Sequence, residues 1–570
     1  MAKLRLAAAL LAGLLAHAQT PILPLSAVKT GMKGSGRTVF QGTRVEEFQV
    51  EILGILENIG PKQSIILARL SGAPIERAGV MQGMSGSPVY INGRLVGAVA
   101  LSFPYAKEPI AGIRPIEEML RVAESPATSR AALTMPARQE ISSGPTRLID
   151  IATPVWFAGF TRGAVDHFAS QWRDAGLEPV QGLSGGGGGR TATPATPARL
   201  EPGAMISVQL MTGDLSVGAD GTVTAVDGNR VFAFGHRFLS IGATDLPFAR
   251  AEVLTLLPNL QSSFKISTAR EWLGAITQDR SVALAGELGR RARMIPTKID
   301  VRRGGASAAA YKMEMVDDGL LTPLLLQMVV FSALDATERT AGAQTIALSG
   351  RMDIDGAAKP IPIKNVYSGD LGAPQMVTAG AVAPVAYLLQ AGFPSLRLRS
   401  VDLTLEVLDG KRQLNIENVL VSRREARPGD SLDLYISLVN SDGSEVARTV
   451  RYKVPTGEPA GTLNFTVCDA VTANVAEYRQ FLQTPPRSPG QMLSFLSSLR
   501  TGDKAYVRVW RPQPSFQVQG ETLPDPPPSL ALLLGKTQTP VYGSRVAEFE
   551  VSGGLAMVSG SRTISVEVKE

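Results

Sequence analysis

Alternating apolar and polar positions, interrupted by turn residues, run through most of this chain. Glu46-Glu-Phe-Gln-Val-Glu-Ile-Leu53 and Ser64-Ile-Ile-Leu-Ala-Arg-Leu70 carry the period of two that a strand with one buried face requires. Pro88-Val-Tyr-Ile-Asn92-Gly93-Arg-Leu-Val-Gly97-Ala-Val-Ala100 predicts a hairpin, because Asn-Gly favours the type I′ turn whose twist matches its strands. Thr222 to His236 predicts a second hairpin, turning at Asp227-Gly228 and ending in Phe234-Gly235-His236. Alternation resumes at Val401–Val407 and at Arg427–Leu438, which Asn440-Ser-Asp-Gly443 turns back. Helical patterns are fewer. They fall at 115–124, at 163–176 with an amphipathic face, at 489–500 behind Ser488, and in the apolar run Pro323–Leu334. That run has Thr322 as a candidate N-cap and Pro323 at the first helical position. At about twelve residues it is too short to cross a bilayer and predicts a buried helix. The chain therefore reads as mainly β.

Punctuation divides it further. Met1 to Ala18 has basic residues, an apolar core and a terminal Ala-His-Ala, the pattern of a secretory signal peptide. Its removal would leave an exported protein, periplasmic or secreted, with no transmembrane helix. Residues 19–124 form a first folded segment. Residues 125–200 are rich in Pro, Ser, Thr and Gly, with Gly185 to Gly189 unbroken. That row lacks the Lys-Ser/Thr of a phosphate loop, so this stretch is expected to be a linker or insertion. A second folded segment spans 201–366, and a β-rich accessory region of sandwich type spans 367–570. One internal echo joins Gly42–Val50 to Gly543–Val551; it is either a coincidence between strands of similar pattern or a sign that the C-terminal strands pair with or mimic the earlier ones.

Composition narrows the function. The formal charge of +6 becomes +4 once Lys3 and Arg5 leave with the signal segment, too small an excess for a dedicated nucleic-acid binder. Basic residues from Arg290 to Arg303 read as a solvated strand face. The single cysteine, Cys468, excludes an intrachain disulfide, so stability rests on core burial. Two mature histidines and one cysteine do not make a conventional zinc site, and no Asp-rich calcium loop is present. No cofactor or metal is expected.

The sharpest chemistry lies in Gly79-Val-Met-Gln-Gly83-Met-Ser85-Gly-Ser87-Pro88. A serine set between glycines on a tight loop is a way to present a nucleophile. Gly83, two residues earlier, allows an unusual φ, so that its N–H and that of Ser85 converge as an oxyanion hole. A serine needs a base. His17 lies in the signal segment and His167 in the helical pattern at 163–176, which leaves His236. For the acid, Asp245 follows His236 by nine residues and Glu76 lies in the serine half. A Ser–His dyad is the alternative to a triad.

Val80 to Val99, with its Gly-Met-Ser-Gly-Ser-Pro core, hairpin and Gly-Ala-Val strand, resembles the nucleophile motif of the SpoIVB-type serine peptidases. Ile110 to Leu120 resembles the strand and helix that close that half of the family's domain, and Phe234-Gly235-His236 is similar to its Gly-His motif. The resemblance implies Ser85 as nucleophile, His236 as base and a protein or peptide as substrate. It also implies a chymotrypsin-like double β-barrel with the halves in swapped order, since here the serine half comes first. Active-site geometry does not depend on chain order, so the cleft can survive the swap. Two further departures stand out. The family's acid precedes the serine, whereas no aspartate occurs here before Asp150, and no PDZ module is visible. The missing acid favours a competing class, a non-catalytic envelope scaffold with a degenerate peptidase core; the intact serine and histidine motifs oppose it.

Overall fold

In a computed structural model of the chain, the described residues are 21–124, 140–143, 146–182, 200–260, 262–337, 341–483, 485–518, 521–536 and 541–570. Residues 1–18, expected to be a signal peptide, and the Gly185–Gly189 row lie outside them. The chain divides into two compact units, one of residues 1–294 and 313–325, the other of 295–312 and 326–570.

The first unit opens with six strands, β1 (Lys33–Val39), β2 (Val45–Gly60), β3 (Gln63–Ser71), β4 (Pro88–Ile91), β5 (Arg94–Ser102) and β6 (Ile110–Pro115). They pair antiparallel in the order β1-β2-β3-β6-β5-β4, and β4 returns to β1 through Ser35↔Tyr90 and Gly36↔Val89, closing a barrel. Alternation does the filling. Phe48, Val50 and Ile52 of β2 and Ile66, Ala68 and Leu70 of β3 turn inward with Val89, Ile91, Val96, Val99 and Ile113. The predicted Asn92-Gly93 turn forms, with both residues at positive φ (+49° and +72°) as a type I′ turn requires.

The segment expected to be linker or insertion contains folded structure. After β7 (Glu140–Ser143) and β8 (Thr146–Asp150), β9 (Thr153–Ala158) and β10 (Leu177–Gln181) lie parallel, joined by the helix Arg162–Asp174. Thr161 caps that helix, and Val165, Phe168, Ala169 and Trp172 bury its apolar stripe, leaving His167 exposed as expected.

A second set of six strands follows: β11 (Met205–Gly213), β12 (Ser216–Asp227), β13 (Arg230–Ala233), β14 (Gly242–Leu257), β15 (Phe264–Arg280) and β16 (Ala283–Leu288). They pair antiparallel in the order β12-β13-β16-β15-β14-β11, and β11 also pairs with β12, so this set closes as well. Register shifts in β11, β14 and β15 supply the bends that closure demands. The β12–β13 turn is Gly228-Asn229, one residue later than expected, because Asp227 pairs with Arg230.

In the second unit, Ala341–Ile354 lies between Ile361–Leu371 and Leu398–Asp409, and Met294–Arg303 runs parallel to the last of these. Beyond them, a four-stranded and a six-stranded sheet bury their facing residues in one core: Ile416, Leu432, Leu434 and Leu438 from one, Leu463, Phe465, Val507 and Val566 from the other. That is a β-sandwich. Val541–Ser552 pairs there with Lys504–Val518, and in the first unit β2 pairs with β1 and β3. The apolar run forms the helix Leu321–Thr337; its first N–H groups go to the Asp318 carboxylate, and Thr322 is not the cap. Among the described residues no helix is long and apolar enough to cross a membrane.

Candidate active site

Ser85 lies between the short helix Ala73–Ala78 and β4, in a run of tight turns. Met84 N–H donates to the Met81 carbonyl (3.1 Å) and Ser87 N–H to the Met84 carbonyl (2.9 Å). Gly83 and Gly86 have φ of +88° and +93°, where a side chain is strained. Gly86 is doubly constrained, since a Cβ there would collide with the Thr222 carbonyl and the Phe234 amide. The second barrel holds the loop. Thr222 N–H donates to the Ser85 carbonyl (2.8 Å), Thr222 Oγ1 to that of Gly83 (2.8 Å), and Thr224 Oγ1 to that of Gly86 (2.7 Å). Among the described residues, the N–H groups of Gly83 and Ser85 take no backbone acceptor.

His236 leaves the end of β13 through Phe234 and Gly235, both at φ +69°. Gly235 lies against Ala98, Ala100 and the Val99 carbonyl. That same Val99 carbonyl accepts the Gly86 N–H at 2.7 Å, so the serine and histidine loops meet on β5. The structure thus brings together the two loops that the sequence places far apart. Both side chains are buried: Ser85 is 1% exposed and His236 2%.

The imidazole has one bonded edge and one free edge. Its Nδ1 lies 2.6 Å from the Arg237 carbonyl oxygen. A carbonyl only accepts, so Nδ1 carries the proton. Nε2 is buried with no hydrogen-bond partner, and so makes no bond to Ser85 Oγ in this conformation. Burial holds the histidine pKa below its ordinary value; the charge of Asp150 works the other way, while Arg114 and Arg237 add to the lowering. A neutral ring with a free Nε2 is the form a general base needs.

Neither sequence candidate for the acid bonds this ring. The Asp245 carboxylate accepts from Arg290 Nε (3.1 Å) and the Arg293 N–H (2.9 Å), and Glu76 is exposed on the helix Ala73–Ala78. Two other aspartates matter instead. Asp150 ends β8 opposite Leu101, and the next residue, Ile151, donates to the Ala100 carbonyl (2.9 Å), beside the place where Gly235 rests. Asp279 of β15 accepts the N–H groups of Phe238 (2.9 Å), Leu239 (2.7 Å) and Ile241 (3.5 Å), pinning the chain just after His236. Its burial outweighs those bonds and pushes its pKa up to about 6. The only trace of Asp279 in the sequence is an acid following the apolar stretch from Leu273 to Ile276, near the end of β15. Among the described residues no group of three His, Cys, Asp or Glu is placed to hold a metal ion.

A glycine-framed hydroxyl, a neutral imidazole with a free nitrogen and two unengaged amides are the parts of a serine peptidase. Residues 12–120 match the family model of the SpoIVB peptidase S55. The match supports a serine peptidase, takes in the whole first barrel with Ser85, and ends before His236. No curated protein and no solved structure gives a significant match.

Proposed function

We propose that this chain is an exported serine endopeptidase, periplasmic or secreted, working through an acyl-enzyme on protein substrates. Its two closed six-stranded sets would be the halves of a chymotrypsin-like double barrel in swapped order. The observation that carries the reading is the His236 ring, with Nδ1–H tied to the Arg237 carbonyl and Nε2 unpartnered, on a loop that meets the Ser85 loop at Val99.

In this mechanism His236 Nε2 takes the Ser85 proton as Oγ attacks the peptide carbonyl. The Gly83 and Ser85 amides hold the oxyanion. His236 then protonates the leaving amine, and a water activated by the same nitrogen hydrolyses the ester. The Arg237 carbonyl fixes the tautomer that a triad carboxylate fixes elsewhere, and the nearby charge of Asp150 favours the imidazolium. Ser85 and His236 are both buried, so the proposed turnover requires a substrate carbonyl to gain access to them.

Fluorophosphonate labelling of the purified chain, with the adduct located by mass spectrometry, tests the reading. The adduct is expected on Ser85 and absent from Ser85→Ala. Label on another residue, or equal labelling of Ser85→Ala, overturns it.

A further inference from the structure

Lys265, near the start of β15, is wholly buried, and its ammonium reaches no carboxylate within ion-pairing distance among the described residues. Its Nζ instead donates to Thr38 Oγ1 of β1 (2.7 Å) and lies 3.5 Å from Met205 Sδ. Burying a lysine in this way is unfavourable unless it is repaid elsewhere. The pKa falls to about 7, with desolvation the cause and the more distant Asp220 opposing it.

The surroundings show what this lysine holds. Upstream of the nucleophile, Lys265 N–H donates to the Gln82 carbonyl (3.2 Å), Gln82 N–H donates to the Ser263 carbonyl (2.8 Å), and Gln82 Nε2 donates to Ser262 Oγ (3.1 Å). The lysine stem lies flat against Gly83, where a Cβ would sit 3.2 to 3.4 Å from three of its carbons. Downstream, Ser87 Oγ donates to the same Thr38 hydroxyl that receives Nζ (3.1 Å). One side chain therefore grips the loop before Ser85 through its backbone and stem, and after Ser85 through its head and Thr38.

We propose that Lys265 is a positioning residue for the nucleophile loop, clamping both sides of Ser85 so that the Gly83 and Ser85 amides converge on one point. The inference rests on the reading of Ser85 as nucleophile. It assigns Thr38 as the relay between the ammonium and Ser87. Lys265 touches no reacting atom; it acts through the geometry of the loop.

The test uses the full chain with Lys265→Met, which keeps the stem and removes the head, and Thr38→Val, which removes the relay. Two readouts are followed: the rate and affinity constants for fluorophosphonate acylation of Ser85, and amide hydrogen exchange across residues 82–87. Each variant is expected to lower the acylation rate constant roughly tenfold to a hundredfold with reagent affinity little changed, since a displacement of about 1 Å at an oxyanion donor has that effect. Exchange at 83–87 should speed up while the rest of the first barrel keeps its protection. The double variant should be no worse than either single one, because both break the same chain of contacts. Should Lys265→Met fail to fold, Thr38→Val alone carries the test. Wild-type acylation and wild-type exchange in Thr38→Val or a folded Lys265→Met overturn the clamp. Failure of the wild type to label at Ser85, with exchange at 83–87 still loosened in the variants, would sink the peptidase reading and leave the clamp standing.

Discussion

The carbonyl oxygen of Arg237 lies 2.6 Å from Nδ1 of His236, the residue immediately before it. This contact does half the work of a triad aspartate. It sets the tautomer and holds the ring, but it supplies no full negative charge to steady the imidazolium formed during attack. In the proposed mechanism that second task would fall to the field of Asp150, which raises the proton affinity of the ring.

Ser85→Ala and His236→Ala should each lower peptide hydrolysis by on the order of a thousandfold or more, with thermal unfolding close to wild type. Ser87→Ala should be milder, since Ser87 Oγ bonds Thr38 and braces the loop without attacking substrate. Rates measured with one fluorogenic peptide, beside melting curves, decide this. Wild-type turnover in Ser85→Ala would assign the activity to another residue.

The carboxylates should separate by position. Asp245→Asn and Glu76→Gln should retain near-wild-type turnover, because neither side chain bonds the ring. Asp279→Ala should behave differently. It strands three buried N–H groups behind His236, and should cost roughly 2–4 kcal/mol of stability in urea titrations while also depressing turnover. A sharp loss of turnover in Asp245→Asn, with the fold intact, would return that residue to the site.

Activity should persist to lower pH than an ordinary histidine allows. The acidic limb of kcat/KM reports the free enzyme's base, and burial holds His236 below 6.5. Asp150 opposes that lowering, so Asp150→Asn should move the limb to still lower pH and reduce kcat as the imidazolium loses support. A limb at or above 6.5 in the wild type, or an upward move in Asp150→Asn, contradicts this assignment.

Lys265 should make stability climb with alkalinity. Its folded pKa of about 7 lies below the 10.5 of the unfolded chain, so between those values the unfolded state binds more protons. The cost of burying the ammonium is complete below about pH 7, shrinks as pH rises, and is gone above 10.5. Relative to Lys265→Met, the wild type should gain on the order of 5 kcal/mol across that interval, read as the difference between two denaturation series. The difference between the two proteins cancels the groups that both share. Parallel pH profiles for the two proteins would show that Lys265 keeps its charge when folded.

Much of the architecture is local enough to read along the chain. Period-two alternation marks β2 and β3, Asn92-Gly93 sets its own turn through positive φ, and an amphipathic face marks the helix that carries His167. Ser85 is legible because its glycines have few other uses, and His236 because the chain offers so few imidazoles. Within 125–200 the Pro, Ser and Gly residues draw the eye from a short parallel unit, in which Trp172 of the helix packs on Phe157 of β9 and β9 pairs with β12.

The amino-acid sequence by itself determined the β-rich character and the glycine-framed serine loop with an unusual φ at Gly83, and it singled out His236 as the candidate base, because each reading depends on neighbours in the chain or on composition. Only the tertiary structure decided what surrounds them. The Arg237 carbonyl has no side-chain signature, since every residue carries one. Asp150, Asp279 and Lys265 gain their roles from contacts between strands remote in sequence, and burial is what moves the proton affinities of Asp279, Lys265 and His236. Barrel closure is likewise a through-space event: β4 meets β1 at two residue pairs, and no local pattern in either strand specifies that meeting.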